Sequence, residues 1–345
     1  MNLQISRDIT TAVLAKWEIF INSHEHGTVL QSPFFYNVFK SAHYYEPVFI
    51  YCTDDDKLVG ILLGAIIRES NGIKGWFSSR LVVWGGPLIC SNHPQRNEIF
   101  NLLLHQLILT TSKKTIFIQF RAAYDMSQFD DEFLKNGFRW FPRINLLIET
   151  TDKHNVIEDM SASRLRQVKK SFKSGAQVIE AQNLVQVAEF YELLSVLYKK
   201  KIKKPLPHLS FFEAFFQLSA EVNSGKIFLV TYQQKVIGGI LCPYMVNKDI
   251  YEWYVCGLDK QYNPKGIYPS VLATWAAIDF GTENKLKRFD FLGLGKPDVK
   301  YGVRDFKLKF GGSIVNYGRF IRINNSFVHG ISELGYNILA MIGKI

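Results

Sequence analysis

The residues best suited to chemistry lie near the end of the chain, in FDFLGLGKPDVKYGVRDFKLKFGGSIVNYGRF. Arg288 to Phe291 reads as a strand that empties into a loop rich in Gly293, Gly295 and Pro297. Tyr301, Arg304, Asp305, Phe306, Lys307 and Phe310 follow, and Gly311-Gly312 leads into another strand. Glycine and charge gathered at a strand end are typical of ligand loops on an α/β scaffold. A lysine held between aromatics, Lys307, could stabilise a developing oxyanion. Asp290, Glu252 and Asp305 are the carboxylates that could accept a proton, and none is singled out by its spacing.

A second basic cluster, SASRLRQVKKSFKSG, is uninterrupted by acids. On a helix capped by Ser161, Arg166, Lys169, Lys170 and Lys173 fall at i, i+3, i+4 and i+7 and form one cationic stripe. Arg offers bidentate contacts to phosphate and Lys a point charge. A third cluster, Lys199 to Lys204, suits a solvated helix end and its dipole.

Standard sites are missing. Gly293-x-Gly295 has no third glycine and no long helix directly after it, so it is not a dinucleotide fingerprint, and no Walker A motif is present. There is no G-x-S-x-G. His24 and His26 stand two apart, which suits neither a helix face nor a zinc motif. The cysteines, Cys52, Cys90, Cys242 and Cys256, are far apart within apolar runs and read as buried, reduced thiols of a cytoplasmic protein. Neither a metal nor a resident cofactor is expected. What remains is direct group transfer by positioning and electrostatics.

The elements that must position these groups repeat along the chain. FIYCTDDDKLVGILLGAII (Phe49–Ile67) and FLVTYQQKVIGGILCPYMV (Phe228–Val246) are both strand, polar turn, strand, with Lys57 and Gly60 matching Lys235 and Gly238. Each is followed by a strand (81–89; 249–258), a helix (98–109; 268–280), a strand (115–120; 288–293) and a Gly-Phe or Phe-Gly element leading into a last strand, INLLIE or FIRI. This predicts a duplicated unit in an α/β (α+β) chain, each copy a mixed central sheet flanked by helices. The first copy is read as residues 1–160 and the second as 161–325, entered through the basic helix and helices over 184–203 and 209–222. Phe327, Ile331, Leu334, Ile338, Met341, Ile342 and Ile345 share one face of a C-terminal amphipathic helix, 326–345. With 345 residues, two domains are expected. The 41 Lys+Arg against 31 Asp+Glu give +10 and bias the chain towards polyanions. No secretory signal and no membrane-spanning run are expected.

Tyr301-Gly302-Val303-Arg304-Asp305-Phe306-Lys307 with Phe310-Gly311-Gly312 resembles the closing F-K-x-x-F-G-G motif of the FemA/FemB/FemX family, in the GNAT-like acyl-CoA N-acyltransferase superfamily. GTVLQSPFF (27–35), VVWGGPLI (82–89), SRLRQVKKSFKSGAQV (163–178) and FDFLG resemble its other motifs in the same order. The likeness covers nearly the whole chain, without the coiled-coil hairpin of some members. It implies tandem GNAT-like domains and an amide-forming acyltransferase of cell-wall peptidoglycan biosynthesis. An amino acid would pass from aminoacyl-tRNA to a nucleotide- or lipid-linked precursor, in the cytoplasm or peripherally at the inner membrane face. By motif match Lys307 would stabilise the oxyanion or hold the tRNA 3′ end. Arg164, Lys170 and Lys40 would bind acceptor phosphates, with Tyr301, Arg304 and Phe306 beside them. The alternative is an acyl-CoA-dependent N-acyltransferase acting on an amino sugar or polysaccharide precursor. That chemistry needs free backbone amides before a helix to take the pyrophosphate, and the corresponding place is Gln261 to Gly266, ahead of the helix at Tyr268.

Overall fold

The computed structural model describes residues 2–299, 302–325 and 330. Tyr301 and, but for residue 330, the expected C-terminal helix lie outside the described residues. The chain divides into two compact units, Met1–Pro142 with Tyr317–Ile345, and Arg143–Asn316.

The first unit is built on strands β1 (Leu3–Ser6), β2 (Tyr45–Asp54), β3 (Lys57–Ile67), β4 (Arg80–Trp84), β5 (Leu88–Ile89), β6 (Phe117–Arg121) and β7 (Arg139–Phe141), with the chain's last strand. The second unit holds β8 (Asn145–Glu149), β9 (Gln177–Glu180), β10 (Gly225–Tyr232), β11 (Lys235–Pro243), β12 (Ile250–Tyr251), β13 (Tyr254–Gly257), β14 (Arg288–Asp290) and β15 (Ser313–Val315). The last strand, β16 (Arg319–Ile323), returns to the first unit. The first sheet runs β1-β2-β3-β4-β6-β16-β7, with β5 also on β3; β4 and β6 are its parallel pair. The second unit has two sheets, β13-β11-β10-β9 and β12-β14-β8-β15, with β12 and β14 parallel.

The duplication holds at the level of single residues. Both hairpins turn through two residues at positive φ, Asp55-Asp56 and Gln233-Gln234, which is the turn whose twist matches paired strands. Both carry a register shift just before that turn, at Cys52/Thr53 and Val230/Thr231, and the extra residues are Val59 and Ile237. The carbonyl of each extra residue accepts the amide that ends the following strand, Cys90 N at 2.9 Å and Leu258 N at 2.9 Å. In each unit the helix after that point packs on the hairpin. Helix Arg96–Thr111 buries Ile99, Phe100, Leu103, Leu104 and Leu107, a spacing that forms one apolar face. Its counterpart, Pro269–Glu283, is buried almost all round and reads as a core helix.

The boundary between the units falls at Pro142/Arg143, where the sequence reading placed it at 160/161. The reason is pairing. The strand INLLIE, read as the close of the first copy, is β8 and pairs with β14 and β15 of the second unit. The strand FIRI, read as the close of the second copy, lies in β16 and pairs with β6 and β7 of the first. Each copy lends its final strand to the other's sheet, which a linear reading of element order does not reveal.

Candidate active site

In the second unit one extended segment serves two sheets. Ile250 and Tyr251 pair with Phe289 and Asp290, whereas Tyr254 to Gly257 pair with Gly238 to Leu241. The handover is at Glu252 and Trp253: Glu252 N donates to Asp290 O at 2.8 Å and Trp253 N to Leu241 O at 3.1 Å. The chain changes sheets there, and the side chain at 252 is buried.

Glu252 is buried and meets Lys307 at 2.9 Å, Oε1 to Nζ. The second oxygen, Oε2, accepts from Thr274 Oγ1 at 3.3 Å, from the buried face of helix Pro269–Glu283. Lys307 comes from helix Gly302–Leu308 and is that helix's buried residue. Its ammonium also donates to Phe291 O at 2.9 Å and Gly293 O at 3.1 Å, and sits 5.2 Å from the Phe291 ring. An ammonium has three N–H donors, and these three acceptors engage all of them. Lys307 is therefore a fixed positive charge that ties the loop after β14 to Glu252. Leu292, inside that loop, has φ 53°, and its amide donates to Asp290 Oδ1 at 2.6 Å.

Asp290 is buried, and burial pushes its carboxyl up to about 6, against hydrogen bonds from Asn145 Nδ2 (2.7 Å) and Leu292 N that favour the ionised form. The exchanged strand β8 thus supplies a polar partner to the site. Asp305 is exposed and two residues from Lys307, hence on another face of the helix.

The closing motif is a clamp around Arg164. The Arg164 guanidinium lies 4.4 Å from the Phe306 ring and 4.5 Å from the Phe310 ring, and donates to Phe306 O and Gln167 Oε1, each at 2.7 Å. It is 3% exposed, and burial pulls it down to about 10. Arg164, expected at acceptor phosphates, is instead enclosed by the protein's own groups, with Nε buried and without a partner among the described residues. Gly311 and Gly312 sit at φ 86° and 93°, and a Cβ on Gly312 would lie 2.4 Å from Leu147 O, so both the backbone angle and the space demand glycine. Arg304 is also turned inward, donating to Leu294 O at 3.2 Å, Pro297 O at 2.9 Å and Lys296 O.

The basic helix forms as read, Ala162–Lys173 with Ser161 accepting from Arg164 N. Arg166, Lys169, Lys170 and Lys173 are all exposed, and Lys170 lies along Gly266. Lys40 is exposed in the last turn of helix Pro33–Ser41 and belongs to the first unit.

The segment ahead of helix Pro269–Glu283 has its amides occupied. Gly266 N donates to Asn263 O at 2.9 Å, Ile267 N to Tyr262 O at 3.2 Å, and Tyr268 N to Ser171 Oγ at 2.9 Å. Pro269 has no N–H, and Ser270 N donates to Asp259 Oδ1 at 3.1 Å. The Asp259 carboxylate stands where a helix N-terminus would otherwise receive an anion. Thr274, Asn145 and Asp259 escaped the sequence reading; only Asp259, eleven residues before Ser270, had a local signal as an acid ahead of a helix.

The first unit fills its equivalent break differently. There Gly85-Gly86-Pro87 separates β4 from β5, and the buried Gln31 bridges the strands. Gln31 Nε2 donates to Leu63 O and Trp84 O, and Oε1 accepts from Leu63 N, all at 2.8 Å. The buried ion pair belongs to the second unit. Cys52, Cys242 and Cys256 are buried free thiols, and burial raises the pKa of each, which disfavours a thiolate nucleophile.

Residues 162–308 match the family model of the Acetyltransferase (GNAT) domain. The fold is shared with the crystal structure of FemX, at TM-score 0.70 and 15% identity over 96% of this chain and 99% of that one. It is similar to a tandem GNAT protein from the clavulanic acid biosynthesis pathway, at TM-score 0.60 and 9% identity over 94% and 99%. The structure of L-PGS from Bacillus licheniformis follows at TM-score 0.59 and 14% identity over 97% and 98%. No curated protein matches the chain in sequence.

Proposed function

We propose that this GNAT-type N-acyltransferase takes an amino acid from aminoacyl-tRNA and forms an amide on an amine of a nucleotide- or lipid-linked peptidoglycan precursor. The observation that carries the choice of donor is the closed run of amides from Gly266 to Ser270, with Asp259 holding the helix N-terminus. A CoA pyrophosphate would have to displace those internal acceptors and meet a carboxylate. A polyanion held by exposed side chains needs no such opening, and Arg166, Lys169, Lys170 and Lys173 offer them.

In this reading the acceptor amine attacks the ester carbonyl, the C–N bond forms as the C–O bond breaks, and the ribose oxygen leaves with a proton. Glu252 Oε2, held by a long hydrogen bond from Thr274, is assigned to take the amine's proton and pass it to the leaving ribose oxygen. Lys307 acts through its field on the developing oxyanion, since its N–H groups are engaged. Among the described residues no helix is long and apolar enough to cross a membrane. We place the encounter with a lipid-linked acceptor at the inner membrane face, as the family likeness implies.

The test is a donor comparison. Purified protein is given labelled aminoacyl-tRNA or acyl-CoA with a panel of amine acceptors. Amide product from aminoacyl-tRNA alone is expected. Product from acyl-CoA alone would overturn the donor assignment in favour of the amino-sugar alternative.

A further inference from the structure

The short helix Gly72–Phe77, between β3 and β4 of the first unit, packs inside out. Its sequence is GIKGWF, and its buried residue is Gly75. A Cβ at that position would lie 1.8 Å from Ser70 O, so only glycine lets the turn rest on the preceding chain. The large apolar side chains face outward instead: Ile73 is 77% exposed, Trp76 39% and Phe77 38%. Burial in a core would select the reverse orientation, and contiguous exposed apolar groups with a polar rim mark a contact surface.

The rim is basic. Arg68, Lys74 and Arg80 flank the helix in sequence. Lys113 and Lys114 join from the turn before β6, which is stitched to this helix: Ser79 N donates to Trp76 O at 3.0 Å, and Ile116 N to Ser79 O at 3.0 Å. The acids paired with this rim are Glu46, with Arg68 at 3.3 Å and Lys114 at 2.7 Å, and Glu69, with Arg80 at 3.2 Å. Three of these five cations are paired with the two carboxylates, and Lys74 and Lys113 are exposed with no ion pair among the described residues.

We infer that this end of the first unit seats on an anionic lipid bilayer, with Ile73, Trp76 and Phe77 entering the headgroup boundary and the surrounding lysines and arginines meeting lipid phosphates. Tryptophan beside aliphatic residues and lysine suits that boundary, where one end of a side chain is apolar and the other wet. The chain's own tail is a poorer occupant. Asn324 N donates to Ile116 O at 2.8 Å, so Asn324 lies at this same end. The segment 326–345 carries one acidic side chain, Glu333, and offers little to a positive rim, whereas anionic lipid complements it. The inference is independent of the donor: a protein using acyl-CoA would bind vesicles equally.

The full chain is sedimented with vesicles of phosphatidylcholine, and of phosphatidylcholine with a third phosphatidylglycerol. Binding is expected to the anionic vesicles only, to weaken with salt, and to fall about tenfold or more in Trp76→Ser/Phe77→Ser. A chain ending at Asn325 should keep it. Wild-type protein that ignores anionic vesicles overturns the inference. So does undiminished binding by the folded double variant, or binding that needs 326–345 and not Trp76. Should the double variant fail to fold, Trp76→Phe decides: brominated lipid should quench wild-type fluorescence clearly more than the variant's, and equal quenching sinks the assignment.

Discussion

The Glu252–Lys307 pair gives the sharpest quantitative expectation. Both side chains are nearly sealed, at 4% and 9% exposure, and the contact is 2.9 Å. Lys307→Met removes the cation and leaves the Glu252 carboxylate with only the Thr274 hydroxyl, and the Phe291 and Gly293 carbonyls without this donor. Breaking one side of a buried pair costs about 3–5 kcal/mol, whereas replacing both sides by neutral groups of similar volume is often close to neutral. Glu252→Gln keeps a carbonyl for the ammonium and should cost less, about 1–3 kcal/mol. The double variant should then be more stable than the sum of the singles by roughly 2 kcal/mol or more, a coupling that only contacting residues show. Urea unfolding of the four proteins at pH 7 measures it. A coupling below about 0.5 kcal/mol would refute the pairing and with it the claim that Lys307 acts as a fixed charge. Turnover adds a second reading, because each single variant should lose most activity even at temperatures where it stays folded.

Further expectations concern other residues. Arg164→Lys should destabilise by about 2–4 kcal/mol despite keeping the charge, because an ammonium cannot fill the planar slot between Phe306 and Phe310, 4.4 and 4.5 Å away; a melting temperature like wild type would show that the slot is not filled in solution. Asp290 is raised from 3.8 to about 6, so the native state binds more protons than the unfolded state between those values. Its contribution therefore makes stability fall as pH rises from about 4 to 6, by up to about 3 kcal/mol. Asp290→Asn should remove that slope, and an unchanged profile counts against the assignment. Gly312→Ala, at φ 93° with Leu147 O 2.4 Å from the new Cβ, should cost more than about 2 kcal/mol in a denaturant titration. Replacing Lys169 and Lys170 together by Ala should lower the slope of log K against log salt for tRNA by about 1–2, and an unaltered slope removes the basic helix from the binding surface.

The order of elements was legible because the signals are local. The Lys-x-x-Gly hairpins, the capped basic helix and the glycine pair after Phe310 each depend on residues a few positions apart. What stayed hidden depends on pairing over long separations. Neither INLLIE nor FIRI says which sheet it will join, because an apolar strand is equally good beside β6 or β14, and the boundary moved with them. The site shows the same division. Lys307 was marked by its motif and Glu252 only as one of several acids, since nothing in a linear string shows that a strand changes sheets at residue 252. Arg164 differs from its helix neighbours for a related reason. A helix of cations looks like one surface, but the position facing Phe306 and Phe310 is buried while those at 166, 169, 170 and 173 are not.

That partition changes the meaning of the +10 charge. Arg164, Arg304 and Lys307 spend their charge on carbonyls, rings and one carboxylate within the second unit. They hold the loop after β14 and the closing motif together. The outer stripe of the basic helix stays exposed, beside a helix whose Ser270 amide is taken by Asp259, and under the proposed function this stripe meets the substrate. Recognition by side chains scales with the number of phosphates engaged and weakens with salt, whereas recognition by amides suits a single pyrophosphate. The second unit exposes the first kind of surface and has the amides from Gly266 to Ser270 occupied, which is why the proposed function favours a large polyanionic donor.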